Sequence, residues 1–232
     1  MKKLVQDYID DFNSKQQLDY VVKPSIPVVW FGDMVAYQES KKKIVTIALN
    51  PSLSEFTEKR FDQVNLGTAD AVEKLVQTLN QYFKVNPYCK WFDNNFEKVL
   101  NCLDASYYEN KKTNTAIHID FYSAIATNPI WGGLTSEEKN KLKRIDLFKR
   151  LLEQLGPDVI LFSANASAFK DAFADFELVE RCDRINGKKS PFIHKYKHGN
   201  QILFNGRNFN GQAFGGLDKN EIYEVMSKIK DK

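Results

Sequence analysis

Apolar residues recur along this chain at two spacings, and segments of the two kinds alternate. Residues 2–13 place Leu4, Val5, Tyr8, Ile9 and Phe12 three or four positions apart, which is the spacing of one helix face. After the turn-rich Lys23-Pro24-Ser25-Ile26-Pro27, the run Val28-Val29-Trp30-Phe31 reads as a short strand ending at Gly32-Asp33. Residues 43–49 are a nearly continuous apolar run rich in Ile, Val and Thr, as a strand covered on both faces requires. Two amphipathic helices are expected over 69–83 and 92–103, the second with Phe96, Val99, Leu100 and Leu103 on one face. Residues 115–127 read as a second buried strand that runs into the loop Thr127-Asn128-Pro129-Ile130-Trp131-Gly132-Gly133. Thr135 and Ser136 can cap a helix through Leu155, with Glu138 as the capping-box carboxylate and Gly156-Pro157 as the stop. A third buried strand over 158–163 precedes a short helix near 166–173. Shorter strands near 178–181, 192–196 and 201–205 lead to a closing helix over 217–229, with Asp218 as its N-cap.

This alternation predicts an α/β fold, a three-layer αβα arrangement around a central, mainly parallel sheet. With 232 residues and no composition break, one domain is expected. Residues 1–26 supply a helix and lead-in, and residues 27–232 the core.

Composition removes several function classes. A chain that is 43% hydrophobic and 27% charged has the balance of a globular protein, and no run approaches the roughly 18 apolar residues of a membrane span. The first seven residues pass from Lys2-Lys3 through Leu4-Val5 into polar and acidic ones without a secretory apolar core, so a cytoplasmic location is expected. Cys89, Cys102 and Cys182 are odd in number and form no CxxC pair, which argues against a disulfide framework or a zinc site. Net charge is only +3, too small to announce nucleic-acid binding by itself. Local basic stretches at 41–43, 139–150 and 181–197 are compatible with either solvated loops or a phosphate-tracking surface. The last combines Arg184, Lys188, Lys189 and Lys195 with Phe192 and Tyr196.

Candidate chemistry lies just beyond the three best strands. Asn50-Pro51-Ser52 follows the first, Asp120 and Thr127-Asn128-Pro129 follow the second, and Ser163-Ala164-Asn165 follows the third. In an open parallel sheet, loops at the carboxyl ends of the strands converge on one ligand crevice. An Asn-Pro after a strand is by itself a turn signal; the combination of three polar clusters is what points to a site.

The segment Ala48-Leu49-Asn50-Pro51-Ser52 resembles the first motif of the mismatch-specific and single-strand-selective branches of the uracil-DNA glycosylase superfamily: a small residue, an apolar residue, Asn-Pro and a small residue. In those families the Asn positions the water that attacks the sugar C1′, and Asn50 is the matching residue. The aromatic that stacks on the flipped base lies farther along the same loop, where Phe56 and Phe61 are both available and Phe61 is preferred. Residues 118–131, His-Ile-Asp-Phe-Tyr-Ser-Ala-Ile-Ala-Thr-Asn-Pro-Ile-Trp, are similar to a middle motif in which Asp120 replaces the usual base-reading Asn. A carboxylate accepts where an amide both donates and accepts. Asp120 is therefore protonated by burial, reads another base edge, or orients water. The last family motif carries a His and an apolar wedge; the corresponding segment, 204–212, has no His, so Asn205 or Asn208 would replace it and Arg207 or Phe209 would be the wedge.

The resemblance spans residues 30–217 and implies hydrolysis of an N-glycosidic bond after a uracil or another deaminated or modified base is turned out of DNA. Asn50 and Asp120 would hold the water, with Pro51 and Ser52 shaping the loop. Phe61 would stack on the base, and Ser163 or Asn165 would touch base or phosphate. No cofactor or metal is implied. DNA is the expected partner, a monomer the expected state, and no membrane is involved. Two other classes remain open: a nucleic-acid or nucleotide-binding module that uses the same residues without catalysis, and a hydrolase of free nucleosides.

Overall fold

A computed structural model of the chain describes residues 1–61, 64–163, 166–183, 192–207, 214 and 217–230. In chain order its elements are α1 (Lys2–Lys15), α2 (Met34–Glu39), β1 (Ile44–Ala48), a 3-10 helix (Leu53–Lys59), α3 (Ala71–Asn80), α4 (Cys89–Phe92), a π-helical turn (Asp93–Glu97) and α5 (Lys98–Cys102). Then come β2 (Ala105–Ser106), β3 (Asn114–Asp120), a 3-10 turn (Trp131–Gly133), α6 (Ser136–Leu142), α7 (Ile145–Leu155), β4 (Val159–Phe162), α8 (Ala166–Phe173), β5 (Glu177–Cys182), β6 (Phe192–His198), β7 (Gln201–Arg207) and α9 (Lys219–Ile229).

The strands form one sheet in the order β2-β3-β1-β4-β7-β6-β5. β1 pairs parallel with β4 from Ile44↔Val159 to Ile47↔Phe162, and β4 pairs parallel with β7 from Val159↔Ile202 to Phe162↔Asn205. β6 runs antiparallel to both β5 and β7. The α/β class with a mainly parallel sheet and flanking helices is therefore what the alternation of periods predicted. β1 and β4 are almost wholly buried, which is why they carry nearly unbroken apolar runs rather than alternation. No helix among the described residues is long and apolar enough to cross a membrane.

The chain forms two compact units built from interleaved segments. The first comprises Met1–Asp33, Leu49–Tyr88 and His118–Gly156, and the second Met34–Ala48, Cys89–Ile117 and Pro157–Lys232. In the first, α1 packs against α3 and α7. Leu4, Val5, Tyr8, Ile9 and Phe12 meet a core that includes Leu75, Leu79, Leu147, Phe148 and Leu151, all buried. Truncating one such leucine to Ala would cost about 2–5 kcal/mol. In the second, which holds nearly all of the sheet, α5 packs against α9, and Phe96 meets Phe214 edge to face. A Cβ on Gly206 would lie 1.9 Å from the Phe214 ring, so this strand position admits only glycine if that ring is to pack.

Three expected elements change. Residues 28–31 are fully buried but among the described residues make one antiparallel bridge, Phe31↔His118, while Val28 N donates to the loop carbonyl Ala124 O. The second buried strand stops at Asp120; beyond it the backbone bonds to loops, with Tyr122 N donating to Leu49 O and Thr127 N to Pro51 O. Apolar residues continue to 126 because that loop is buried too. The helix expected from 136 to 155 is two helices, broken at Lys143-Arg144, where Arg144 leaves helical geometry at φ −136°, ψ 59° and its N–H donates to Tyr122 O. The Thr135–Glu138 and Asp218–Glu221 capping boxes are both formed, and Gly156 ends α7 in the left-handed region at φ 53°.

Candidate functional site

Asn50 begins the loop that β1 delivers, and it is half-buried. Its Nδ2 donates to three oxygens: Pro51 O at 2.8 Å, Thr127 Oγ1 at 3.0 Å and Ile125 O at 3.3 Å. Two of these are backbone carbonyls, which can only accept, so the amide cannot be flipped. Asn50 Oδ1 is thereby turned away from its own anchors, and no hydrogen bond to it exists among the described residues. Thr127, fully buried, holds this geometry because its backbone bridges both Val21 and Ser52.

Ser52 caps the following 3-10 helix in a reciprocal box with Glu55. Glu55 Oε2 accepts from Ser52 N at 2.8 Å and Ser52 Oγ at 2.7 Å. The Glu55 carboxyl is buried, and burial pushes its pKa up; the bonds from Ser52 oppose that shift, and the nearby charge of Asp120 adds to it. Glu55 was not singled out from the sequence, although Ser52-x-x-Glu55 is the capping-box spacing that could have found it.

Asp120 ends β3 with 7% of its surface exposed. Its Oδ1 is sealed and has no hydrogen-bond partner among the described residues; His118 Nε2, also buried, stands 3.8 Å away, beyond hydrogen-bond range. Phe31 exchanges backbone bonds with His118 and stacks on Tyr82 at 3.7 Å between centroids. Phe61 lies parallel to both rings, at 6.2 Å and 6.0 Å, with Phe56 tilted against it at 4.9 Å. Phe61 is thus built into an aromatic stack and only 9% exposed, while Phe56 is half-buried.

Asn50, Pro51, Ser52, Phe61, Asp120 and Thr127 therefore all belong to the first unit, with Glu55 and His118 added by the structure. Ser163 and Asn205 belong to the second, Ser163 just past the end of β4 and Asn205 within β7 opposite Phe162. Both are buried, at 6% and 5% exposure, and Ser163 Oγ and Asn205 Oδ1 lack hydrogen-bond partners among the described residues. Arg207 ends β7 in register with Phe192. Asn165, Asn208 and Phe209 lie outside the described residues, as does most of the basic 181–197 stretch.

A cavity of about 560 Å³ in the first unit, lined by Phe12, Asn13, Gln16, Ser25 and residues 64–67, contains none of the predicted site residues. Among the described residues no group of three His, Cys, Asp or Glu side chains is placed to hold a metal ion. No protein-family model and no curated protein matches the chain, which leaves its own side chains to carry the functional reading.

Proposed function

We propose that this chain is a DNA glycosylase-like hydrolase that cleaves the N-glycosidic bond of a base turned out of DNA. The observation that carries the reading is the Asn50 amide: its N–H groups are spent on Pro51, Ile125 and Thr127, and its oxygen is left to accept from a water. That water would bond to C1′ through its oxygen. The electron pair of the C1′–N bond would leave with the base, which would end with one of the water's protons. A prepositioned acceptor contributes by fixing the nucleophile before the barrier is climbed. DNA is the proposed partner and a monomer the proposed working state.

Recognition without catalysis is favoured by one feature, the absence of His from residues 204–212, where a donor would stabilise the departing base. One experiment separates the readings. Oligonucleotides bearing uracil, hypoxanthine, xanthine or modified cytosines, and the corresponding free nucleosides, are incubated with the pure protein, and abasic sites are cleaved with alkali. Base release from an oligonucleotide that falls at least a hundredfold in Asn50→Ala, with DNA binding retained, supports the glycosylase. Release only from free nucleosides, or binding with no release, removes it.

A further inference from the structure

We propose that the cavity of about 560 Å³ beside the last turn of α1 binds a neutral ring that carries adjacent hydroxyls: a sugar, free or as the ribose of a nucleoside. It shares no residue with the Asn50 and Asp120 loops and does not depend on the glycosylase-like reading. Three segments of the first unit build it. α1 supplies Phe12 and Asn13, with Gln16 as its C-cap; the turn after Pro24 supplies Ser25; and residues 64–67 supply the rest. The volume lies within the roughly 300–1,000 Å³ of small-ligand pockets, whose lining is apolar surface with a few placed polar groups. Here Phe12, Val64 and Leu66 give the apolar part.

Backbone partners fix how each polar side chain of the lining is used, and so what it has left to offer. Gly67 N–H can only donate, and it donates to Asn65 Oδ1 at 2.9 Å; the Asn65 oxygen is engaged and its NH2 group remains. A Cβ on Gly67 would lie 3.3 Å from that oxygen, so the turn is close. Gln16 Nε2 donates to Asn13 O at 3.5 Å and to Asn13 Oδ1 at 3.4 Å. A backbone carbonyl can only accept, so neither amide can be flipped, and Gln16 keeps Oε1 while Asn13 keeps its NH2 group. Ser25 Oγ gives its proton to Val22 O, which leaves its lone pairs. Two amide donor groups and two acceptor oxygens are therefore left to serve a ligand, and no ionisable side chain lines the cavity among the described residues. A charged ligand would give up hydration here without a counter-charge. A ligand with donors alone, or acceptors alone, would meet half of the set. A hydroxyl both donates and accepts and turns about its C–O bond, so adjacent ring hydroxyls can meet amide NH2 groups and oxygens alike, while the C–H faces of the ring suit the apolar lining.

The test is an NMR titration of the isotope-labelled full chain with ribose, glucose, uridine and, as a charged counterpart, glucose phosphate. The neutral compounds should shift the amide signals of residues 12–16, 25 and 64–67, and glucose phosphate should bind at least about fivefold more weakly than glucose. Asn65→Asp and Asn13→Asp each keep the oxygen that Gly67 or Gln16 uses but lose the NH2 group, so the local structure stays and each should weaken sugar binding about threefold to tenfold. Uridine bound more tightly than ribose assigns the site to nucleosides, and uridine bound no more tightly assigns it to free sugars; both uphold the proposal. It is overturned if none of the three neutral compounds binds at tens of millimolar, if the signals that move belong to other residues, if glucose phosphate binds as tightly as glucose, or if a folded Asn65→Asp protein keeps the parent's affinity. The parent's own titration decides the matter even if a variant fails to fold. Base release from oligonucleotides is a separate measurement, so this site and the glycosylase-like reading fail independently.

Discussion

Glu97 and Asp120 are buried carboxyl groups, at 4% and 7% exposure, one in each compact unit, and the chain surrounds them in opposite ways. Glu97 ends the π-helical turn between α4 and α5, whose wider coil brings Asn95, Phe96 and Glu97 into the interior. Its Oε1 accepts from Ser106 Oγ at 2.7 Å and Asn101 Nδ2 at 3.1 Å and pairs with Lys111 Nζ at 2.9 Å, and its Oε2 accepts from Tyr107 N at 3.2 Å. Asp120 has, among the described residues, no hydrogen bond to Oδ1 and a His118 nitrogen at 3.8 Å. A saturated carboxylate holds an architecture together, here tying a helix to β2. One left unsatisfied is a charge or proton that the fold carries for some other reason, and a ligand is the most economical one.

Substitution should break this contrast open. Glu97→Ala is expected to give the largest effect, a loss of about 3 kcal/mol in urea unfolding with an unchanged slope, because Ser106, Asn101 and Tyr107 N–H would all lose a buried acceptor at once. A loss under about 1 kcal/mol would show that Glu97 is no more structural than Asp120. Glu55→Gln sits between the two. Gln keeps the capping geometry but removes a carboxyl whose folded pKa is raised by burial. The raised pKa means that the parent's favourable contribution is complete below the ordinary glutamate range and is lost as pH rises through the folded value. Stability of Glu55→Gln relative to the parent should therefore increase from pH 4 towards neutrality in parallel denaturation curves; a pH-independent difference would place Glu55 outside the buried cluster. Lys111→Met should cost only about 0.5 kcal/mol, since the Lys111 side chain is 47% exposed and the three neutral donors remain on Glu97.

Most of the fold was legible because its signals are local. Thr135, Asp218 and Gly156 each announce a helix end through chemistry confined to a few residues, and β1 and β4 announce burial through nearly unbroken apolar runs. What escaped were the places where tertiary partners replace regular pairing. Residues 28–31 and 121–126 look like strands because they are buried, yet Val28 N donates to Ala124 O and Tyr122 N to Leu49 O, both loop carbonyls. The break at Arg144 was hidden because Arg144 is held by Asp11 and Asp146, with Nη1 2.5 Å from Asp11 Oδ1 and Nη2 2.8 Å from Asp146 Oδ2, and Asp11 is distant in sequence. In the site, Asn50 and Asp120 were legible as strand-end polar residues. The locking of the Asn50 amide by Ile125 O and Thr127 Oγ1 was not, since it depends on how two loops meet, and neither was the lack of a hydrogen bond to Asp120 Oδ1.

The smallest expected effect is the sharpest test of the contrast. Asp120→Asn should leave the folding free energy within about 0.5 kcal/mol of the parent, and any change should be stabilising. A buried residue that makes structural hydrogen bonds loses about 1–3 kcal/mol when one partner is removed, but Asp120 Oδ1 has none to lose. Replacing it with an isosteric amide removes the cost of desolvating a carboxylate and the repulsion it exerts on Glu55, while the 3.8 Å separation from His118 Nε2 offers little pairing to forfeit. Groups kept for a ligand at the expense of stability respond in this way when neutralised. Urea denaturation of parent and variant at one pH gives the answer. A loss above about 1.5 kcal/mol would mean that Asp120 is held by the fold as Glu97 is, and the distinction between a structural carboxylate and one reserved for a ligand would fail at this residue.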